Sequence, residues 1–156
     1  MGAIVVGIDG SDSSRRALEW AVKEGRLRGK PVEALYVYDH TPAWALYGYA
    51  EGSAAALAEA AGADEEDEVA QERAYNLAKR LVDELGPLED VQVTPVAVPS
   101  RRPAIALVER ADDAEMIVVG SRGRGGFSGL LLGSVSQQVA HHAHCPVVIL
   151  GPADDD

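Results

Sequence analysis

The stretch Gly120-Ser-Arg-Gly-Arg-Gly-Gly-Phe-Ser-Gly-Leu-Leu-Leu-Gly-Ser134 concentrates the residue types that hold a phosphate group. Glycine lets backbone N–H groups approach phosphate oxygens with no Cβ in the way, and the N–H groups that open a helix attract negative charge. Ser134, at the expected start of such a helix, adds a hydroxyl donor, and Arg122 and Arg124 are the nearest cations. Those cations matter because the chain carries 14 Lys and Arg against 25 Asp and Glu, a formal charge of -11. Its general field repels nucleic acid and anionic lipid, so a phosphate ligand has to be held locally. Two common phosphate fingerprints fail. The P-loop pattern G-x-x-x-x-G-K-[ST] breaks where Gly120 and Gly125 are followed by Gly126 and Phe127, and G-x-G-x-x-G breaks where Gly123 and Gly125 lead to Ser128. The spacing that fits is G-x2-G-x9-G-[ST], with Gly120, Gly123, Gly133 and Ser134 in register.

Other chemistry-bearing groups are weaker. Asp9 ends an apolar run and has two readings, a carboxylate for a phosphate-bound cation and a turn or helix-capping aspartate. His141, His144 and Cys145 have the i, i+3, i+4 spacing of metal ligands. Against that, histidines suit a helix C-terminus electrostatically, Cys145 precedes Pro146 and so leaves the helix, and no second ligand cluster exists. Trp44, Tyr47 and Tyr49 are read as packing on the local surface, with cover for a ligand as the alternative. For phosphoryl-transfer chemistry, Arg122, Arg124 and Asp9 supply charge, but no residue stands out as the base.

These groups need a scaffold, and the hydrophobic pattern supplies one. Ala3 to Asp9 is a nearly unbroken apolar run, as in a strand buried on both faces of a parallel sheet. Ser11 or Asp12 caps the next helix, with Ala17, Leu18, Ala21, Val22 and Gly25 as its buried stripe and Gly29 and Pro31 as its stop. Val32 to Asp39 is strand two. His40 to Ala63 has little periodicity and reads as a loop with one short helix. Asp64 to Leu85 is a helix with the stripe Ala70, Ala74, Leu77, Leu81 and Leu85. Val91 to Val98 is strand three, pushed toward an edge by Pro95. Pro103 opens a helix with the stripe Ala104, Leu107, Val108 and Ala111, and Glu115 to Gly120 is strand four. Ser134 to about Ala143 is the last helix, and Val147 to Leu150 is strand five.

Strands alternating with helices specify an α/β fold, a single-domain, Rossmann-like open five-stranded parallel sheet with helices on both faces. Ligands of such sheets bind beyond the carboxyl ends of the strands, here Asp9, Asp39, the turn from Pro99 to Pro103, and Gly120. The 156 residues suffice for one domain, set at 1–151, and Asp154, Asp155 and Asp156 belong to an acidic solvated tail, 152–156. No apolar run approaches the roughly 18 residues of a membrane span. A basic segment before the first apolar run is also missing, and Cys145 is the single cysteine, so the expectation is a cytoplasmic protein.

The glycine motif, together with the opening Ile4 to Ser11, Val37 near the end of strand two and the closing Cys145 to Leu150, resembles the universal stress protein family. The resemblance covers nearly the whole chain, least well from 41 to 63. It implies a dimeric α/β domain that binds ATP, or another adenine nucleotide, with Mg2+. It makes Asp9 the acidic residue near the ribose and the metal, and gives the backbone of Val37 the adenine edge. Gly120, Gly123, Gly133 and Ser134 become the phosphate and ribose cradle, and Arg122 lies within that motif. One departure stands out: many relatives have Gly-x-Pro where this chain has Arg101-Arg102-Pro103. Arg101 either contacts phosphate or alters the turn and narrows the pocket. The implied function is a nucleotide-dependent regulatory dimer in stress response, serving an unidentified protein partner. The alternatives are a slow ATPase or phosphotransfer enzyme, an AMP or cyclic AMP binder, and a nucleotide-independent chaperone-like protein. A short apolar edge strand invites pairing with its twofold mate, so Val147 to Leu150 is the expected dimer contact, and Val148→Pro is the variant expected to give monomer.

Overall fold

Ile4–Ile8 forms β1, the middle strand of the sheet, and four of its five residues are buried. The computed structural model describes residues 2–39, 54–122 and 131–151. Trp44, Tyr47, Tyr49, Gly123, Arg124 and the 152–156 tail lie outside the described residues. After β1 come α1 (Asp12–Arg28), β2 (Val32–Tyr38), α2 (Ala54–Asp83), β3 (Val93–Pro99), α3 (Pro103–Arg110), β4 (Met116–Gly120), α4 (Ser134–His142) and β5 (Val147–Leu150). The strands stand in the order β3-β2-β1-β4-β5, all parallel, with Val6 opposite both Ala34 and Val118. This is the expected α/β architecture.

Alternation along the strands divides the core. Ile4, Val6 and Ile8 face α1 and α2, where Ala17, Leu18, Ala21, Val22, Ala78, Leu81 and Val82 close over them. Val5, Leu35, Ile117 and Val119 face α3 and α4, meeting Ala104, Leu107, Ala111 and Val139. Helix α1 follows its expected stripe throughout. Ser11 caps it by accepting the Ser14 N–H at 3.2 Å, and Gly29 ends it at φ 64°, a left-handed conformation that glycine adopts without a Cβ penalty. In β2, Glu33 breaks the apolar pattern because Arg110 donates to both its carboxylate oxygens, at 2.5 and 3.2 Å, and that bond raises the Arg110 pKa.

Four expectations need correction. Helix α2 begins at Ala54, not Asp64, so the expected loop over 40 to 63 is helical in its last ten residues. The segment from Ala54 is rich in alanine, the strongest helix former, and a search for hydrophobic periodicity does not register it. Along the same helix, Ala78 and Val82 are buried beside Ala74 and Leu81, while Leu77 packs only partly, and the helix ends at Asp83, before the expected Leu85. In α3, Ala106 is buried and Val108 only half-buried. Strand β3 runs two residues later than expected at its start, and Pro95 sits in an edge strand as anticipated.

Candidate functional site

Chain direction across the sheet reverses once. From β1 the chain steps to β2 and β3 on one side, then crosses to β4 and β5 on the other, so the carboxyl ends of β1 and β4 flank the switch point. Their following helices, α1 and α4, cover opposite faces and leave a crevice between their first turns. Asp9 and Gly10 stand on one side, Gly120 and Ser121 on the other.

Asp9 occupies the turn role. Its Oδ1 accepts the Ser11 N–H at 2.9 Å, its own N–H donates to Ser14 Oγ at 3.2 Å, and Gly10 takes φ 82° between them. A carboxylate has several lone pairs, so this turn is compatible with a cation ligand as well. Among the described residues no group of three or more His, Cys, Asp or Glu side chains could hold a metal ion. A metal at Asp9 would therefore depend on phosphate oxygens for further ligands, as Mg2+ commonly does.

Opposite Asp9, the base of the glycine-rich connection is pinned. Ser121 donates its N–H to the Leu150 carbonyl at 2.8 Å, and its own carbonyl accepts Gly133 N–H at 2.6 Å and Ser136 Oγ at 3.1 Å. The end of β4 and the start of α4 are thereby held together. Gly133 is the N-cap of α4, at φ -75° and ψ 170°, and as glycine it brings no side-chain cap of its own to that end. The first helical carbonyl, Gly133, is taken by Gln137 N–H at 3.1 Å, and Ser134 at the first position is exposed. An uncapped helix start at the switch point has the donors and dipole for an anion. Arg122 is exposed at the other side of the loop base.

Gly120 has a packing requirement of its own. A Cβ there would stand 2.9 Å from both the carbonyl carbon and the Cβ of Ser13 and would overlap Ser13 Oγ. The first turn of α1 thus lies against the end of β4, which narrows the crevice floor. Ser13 Oγ and Ser121 Oγ are both buried there without a hydrogen-bond partner among the described residues. Neither serine stands out in the sequence, because Ser13 lies inside α1 and Ser121 just after β4, and their meeting is a matter of packing.

Farther along the carboxyl edge, Val37 is half-buried opposite Val98, on the α3 and α4 side. Asp39 follows β2, and its Oδ1 lies 3.8 Å from Arg101 Nε. The turn bearing Arg101 is tied at both ends: Ser100 N–H donates to the Tyr38 carbonyl at 2.9 Å, and Ser100 Oγ accepts the Arg102 N–H at 3.0 Å. No described residue other than glycine has positive φ, so arginine replaces glycine at 101 without backbone strain. Burial raises the neighbouring Tyr38 pKa, with a smaller push from the charge of Asp67.

His141, His142 and His144 are exposed, and burial raises the thiol pKa of Cys145, so the thiolate is disfavoured. A shallow groove of about 310 Å³, lined by Glu68, Gln71, Glu72, Tyr75 and Ala97, lies between α2 and β3, away from the switch point. No helix among the described residues is long and apolar enough to cross a membrane.

Comparison with known proteins agrees with this fold. A sequence profile described as the universal stress protein family matches residues 1–151. A universal stress protein of Mycobacterium tuberculosis is 40% identical over 146 residues, which cover 94% of this chain and 44% of the relative. One from Mycolicibacterium smegmatis is 36% identical over 153 residues, 96% of this chain and 45% of its own. The chain thus spans less than half the length of these curated relatives. Among solved structures, a universal stress protein in complex with cAMP matches with TM-score 0.64 and 25% identity, over 96% of each chain. One from Archaeoglobus fulgidus in complex with dAMP matches with TM-score 0.56 and 25% identity, over 96% of this chain and 97% of that one.

Proposed function

The chain belongs to the universal stress protein family, and from that premise we propose that it binds an adenine nucleotide in the crevice between the ends of β1 and β4. The observation that carries this reading is the uncapped start of α4 at the topological switch point. The complexes of relatives with cAMP and dAMP support the adenine base and at least one phosphate. In this reading Gly133, Ser134, Gly123 and Gly120 form the cradle, Arg122 adds charge, the backbone of Val37 meets the base, and Asp9 lies by the ribose. ATP with Mg2+ is the ligand we assign, the cation neutralising phosphate charge and Asp9 holding it. The uncapped α4 start and the Asp9 carboxylate fit that group chemically. Nucleotide occupancy then regulates a homodimer that meets a protein partner in the cytoplasm.

Calorimetric titration of nucleotide-stripped protein with ATP and Mg2+ tests the assignment. Binding in the micromolar range, about -8 kcal/mol, is expected, and AMP and cyclic AMP are titrated in parallel to rank the phosphates. Absence of heat with all three, repeated at a second temperature, overturns nucleotide binding and favours a nucleotide-independent partner-binding protein.

Strand β5 lies at the sheet edge, and its register refines the dimer test. The carbonyls of Pro146 and Leu150 accept from Ile117 and Ser121, so even-numbered residues turn their backbone toward β4. Val148 shares that orientation by the period of two, and a proline there would break the sheet itself. Ile149 points its N–H outward. Ile149→Pro is therefore the clean variant: light scattering is expected to give the monomer mass, with the far-UV circular dichroism of the parent. An unchanged dimer mass would exclude β5 pairing.

A further inference from the structure

The sheet ends in β3 on one side and β5 on the other, and the two edges are not equivalent. Strand β3 pairs with β2, and no strand among the described residues lies beyond it. The Gln92 carbonyl accepts the Val32 N–H at 2.8 Å, and the Ser100 N–H donates to the Tyr38 carbonyl at 2.9 Å. Even-numbered residues therefore turn their backbone toward β2 along the whole strand, and Val93, Pro95, Ala97 and Pro99 turn theirs outward. Proline has no N–H, so this edge offers a carbonyl at each of these positions and N–H groups at Val93 and Ala97 alone. At Pro95 and Pro99 the ring also fills the space into which an N–H would point, where an incoming strand would bring its carbonyl. At β5 the outward residues are Val147 and Ile149, and both keep their N–H.

We propose that Pro95 and Pro99 close the β3 edge to strand addition, leaving β5 as the edge of the described sheet at which a second copy of this chain pairs. A sheet with two open edges that pairs at one can pair again at the other, and copies joined in that way grow without limit. One closed edge stops the growth at two copies. Along β3 the outward positions alternate between a residue that keeps its N–H and a proline, so an incoming strand finds no two consecutive outward donors in any register. The stop at two copies rests on the β5 pairing read above, whereas the closed β3 edge stands independently of it.

The test restores the missing donors and measures mass by light scattering over a concentration series, with amide hydrogen exchange to locate any new contact. Pro95→Thr combined with Pro99→Thr puts a strand-forming residue with an N–H at both positions. Its mass is expected to rise with concentration to about twice that of the parent or more, with exchange at Ala97 slowed in the enlarged species. In the Ile149→Pro background the same pair of changes is expected to stop at two chains, joined through β3. Pro99→Thr alone, at an exposed position, gives consecutive donors at 97 and 99 and replaces the double variant should that one fail to fold. A folded variant that keeps the parent's mass at every concentration overturns the closed edge, and so does growth without slowed exchange at Ala97, which is general aggregation. An Ile149→Pro protein that keeps the parent's dimer mass overturns the β5 pairing and the stop at two copies, and the threonine variants still decide the β3 edge.

Discussion

Gly133→Asp is expected to weaken nucleotide binding about a hundredfold while leaving the fold as stable as before or slightly more so. Gly133 is the N-cap of α4 at φ -75°, a conformation open to any residue, and it brings no side chain to the first-turn N–H groups. Aspartate is among the preferred N-cap residues, and its charge suits the helix dipole, a gain of a few tenths to about 1 kcal/mol. The same carboxylate takes the donors that a phosphate would use and sets a negative charge against it. Loss of a charge-assisted hydrogen bond plus that repulsion comes to roughly 3 kcal/mol, about a hundredfold in Kd. Titration calorimetry reads the affinity, and a denaturant midpoint reads the stability. The opposite signs matter, because a variant that merely damages the fold lowers both. Affinity kept within threefold in the folded variant would remove the phosphate from α4. Adding Ser134→Ala deletes the exposed hydroxyl at the first helical position and is expected to deepen the loss.

The same helix start explains what the sequence makes legible. Strand β1, the stripe of α1 and the positions of β4, α4 and β5 follow from apolar runs and helical spacing, because burial on one or both faces writes directly into residue type. The glycine spacing points to α4, since a helix start after a buried strand leaves a recognisable pattern. Contacts between elements distant in sequence leave no such trace. Ser13 pressed against Gly120 joins positions 107 residues apart in numbering, and only the packing of α1 on β4 brings them together. Asp39 and Arg101 meet because β2 and β3 are neighbours in register, a fact of topology that neither residue announces. The start of α2 was missed for a different reason: its alanines form helix by propensity and leave periodicity silent. Orientation of the edge strand also needed the structure, since the choice between Val148 and Ile149 depends on which carbonyls β4 occupies.

Gly120 carries the second large effect, and here stability falls. Its would-be Cβ meets the carbonyl carbon and Cβ of Ser13 at 2.9 Å, and part of that obstacle is backbone, which cannot rotate away. The neighbouring residues are fixed as well: Ser11 caps α1, Arg15 N–H returns to the Ser11 carbonyl at 3.0 Å, and Ser121 is bonded to Leu150. Gly120→Ala must therefore push the first turn of α1 off the sheet or bend the end of β4. Overpacking of this kind costs about 1 to 3 kcal/mol, and the upper end is expected because both sides are tied. Urea unfolding gives the value from the midpoint shift, provided the slope stays that of the parent. A companion change identifies the cause. Ser13→Gly removes the Oγ and Cβ but keeps the carbonyl carbon, so in the Gly120→Ala background it is expected to recover about half of the loss, allowing for its own helix cost of about 1 kcal/mol. The double-mutant cycle isolates that coupling from the cost of glycine in α1. A Gly120→Ala protein within 0.5 kcal/mol of the parent, about the scatter of surface substitutions, would mean that α1 does not lie against β4 as closely as this. In that case the crevice floor between Asp9 and Gly120 is wider, and glycine at 120 answers to the ligand and not to Ser13.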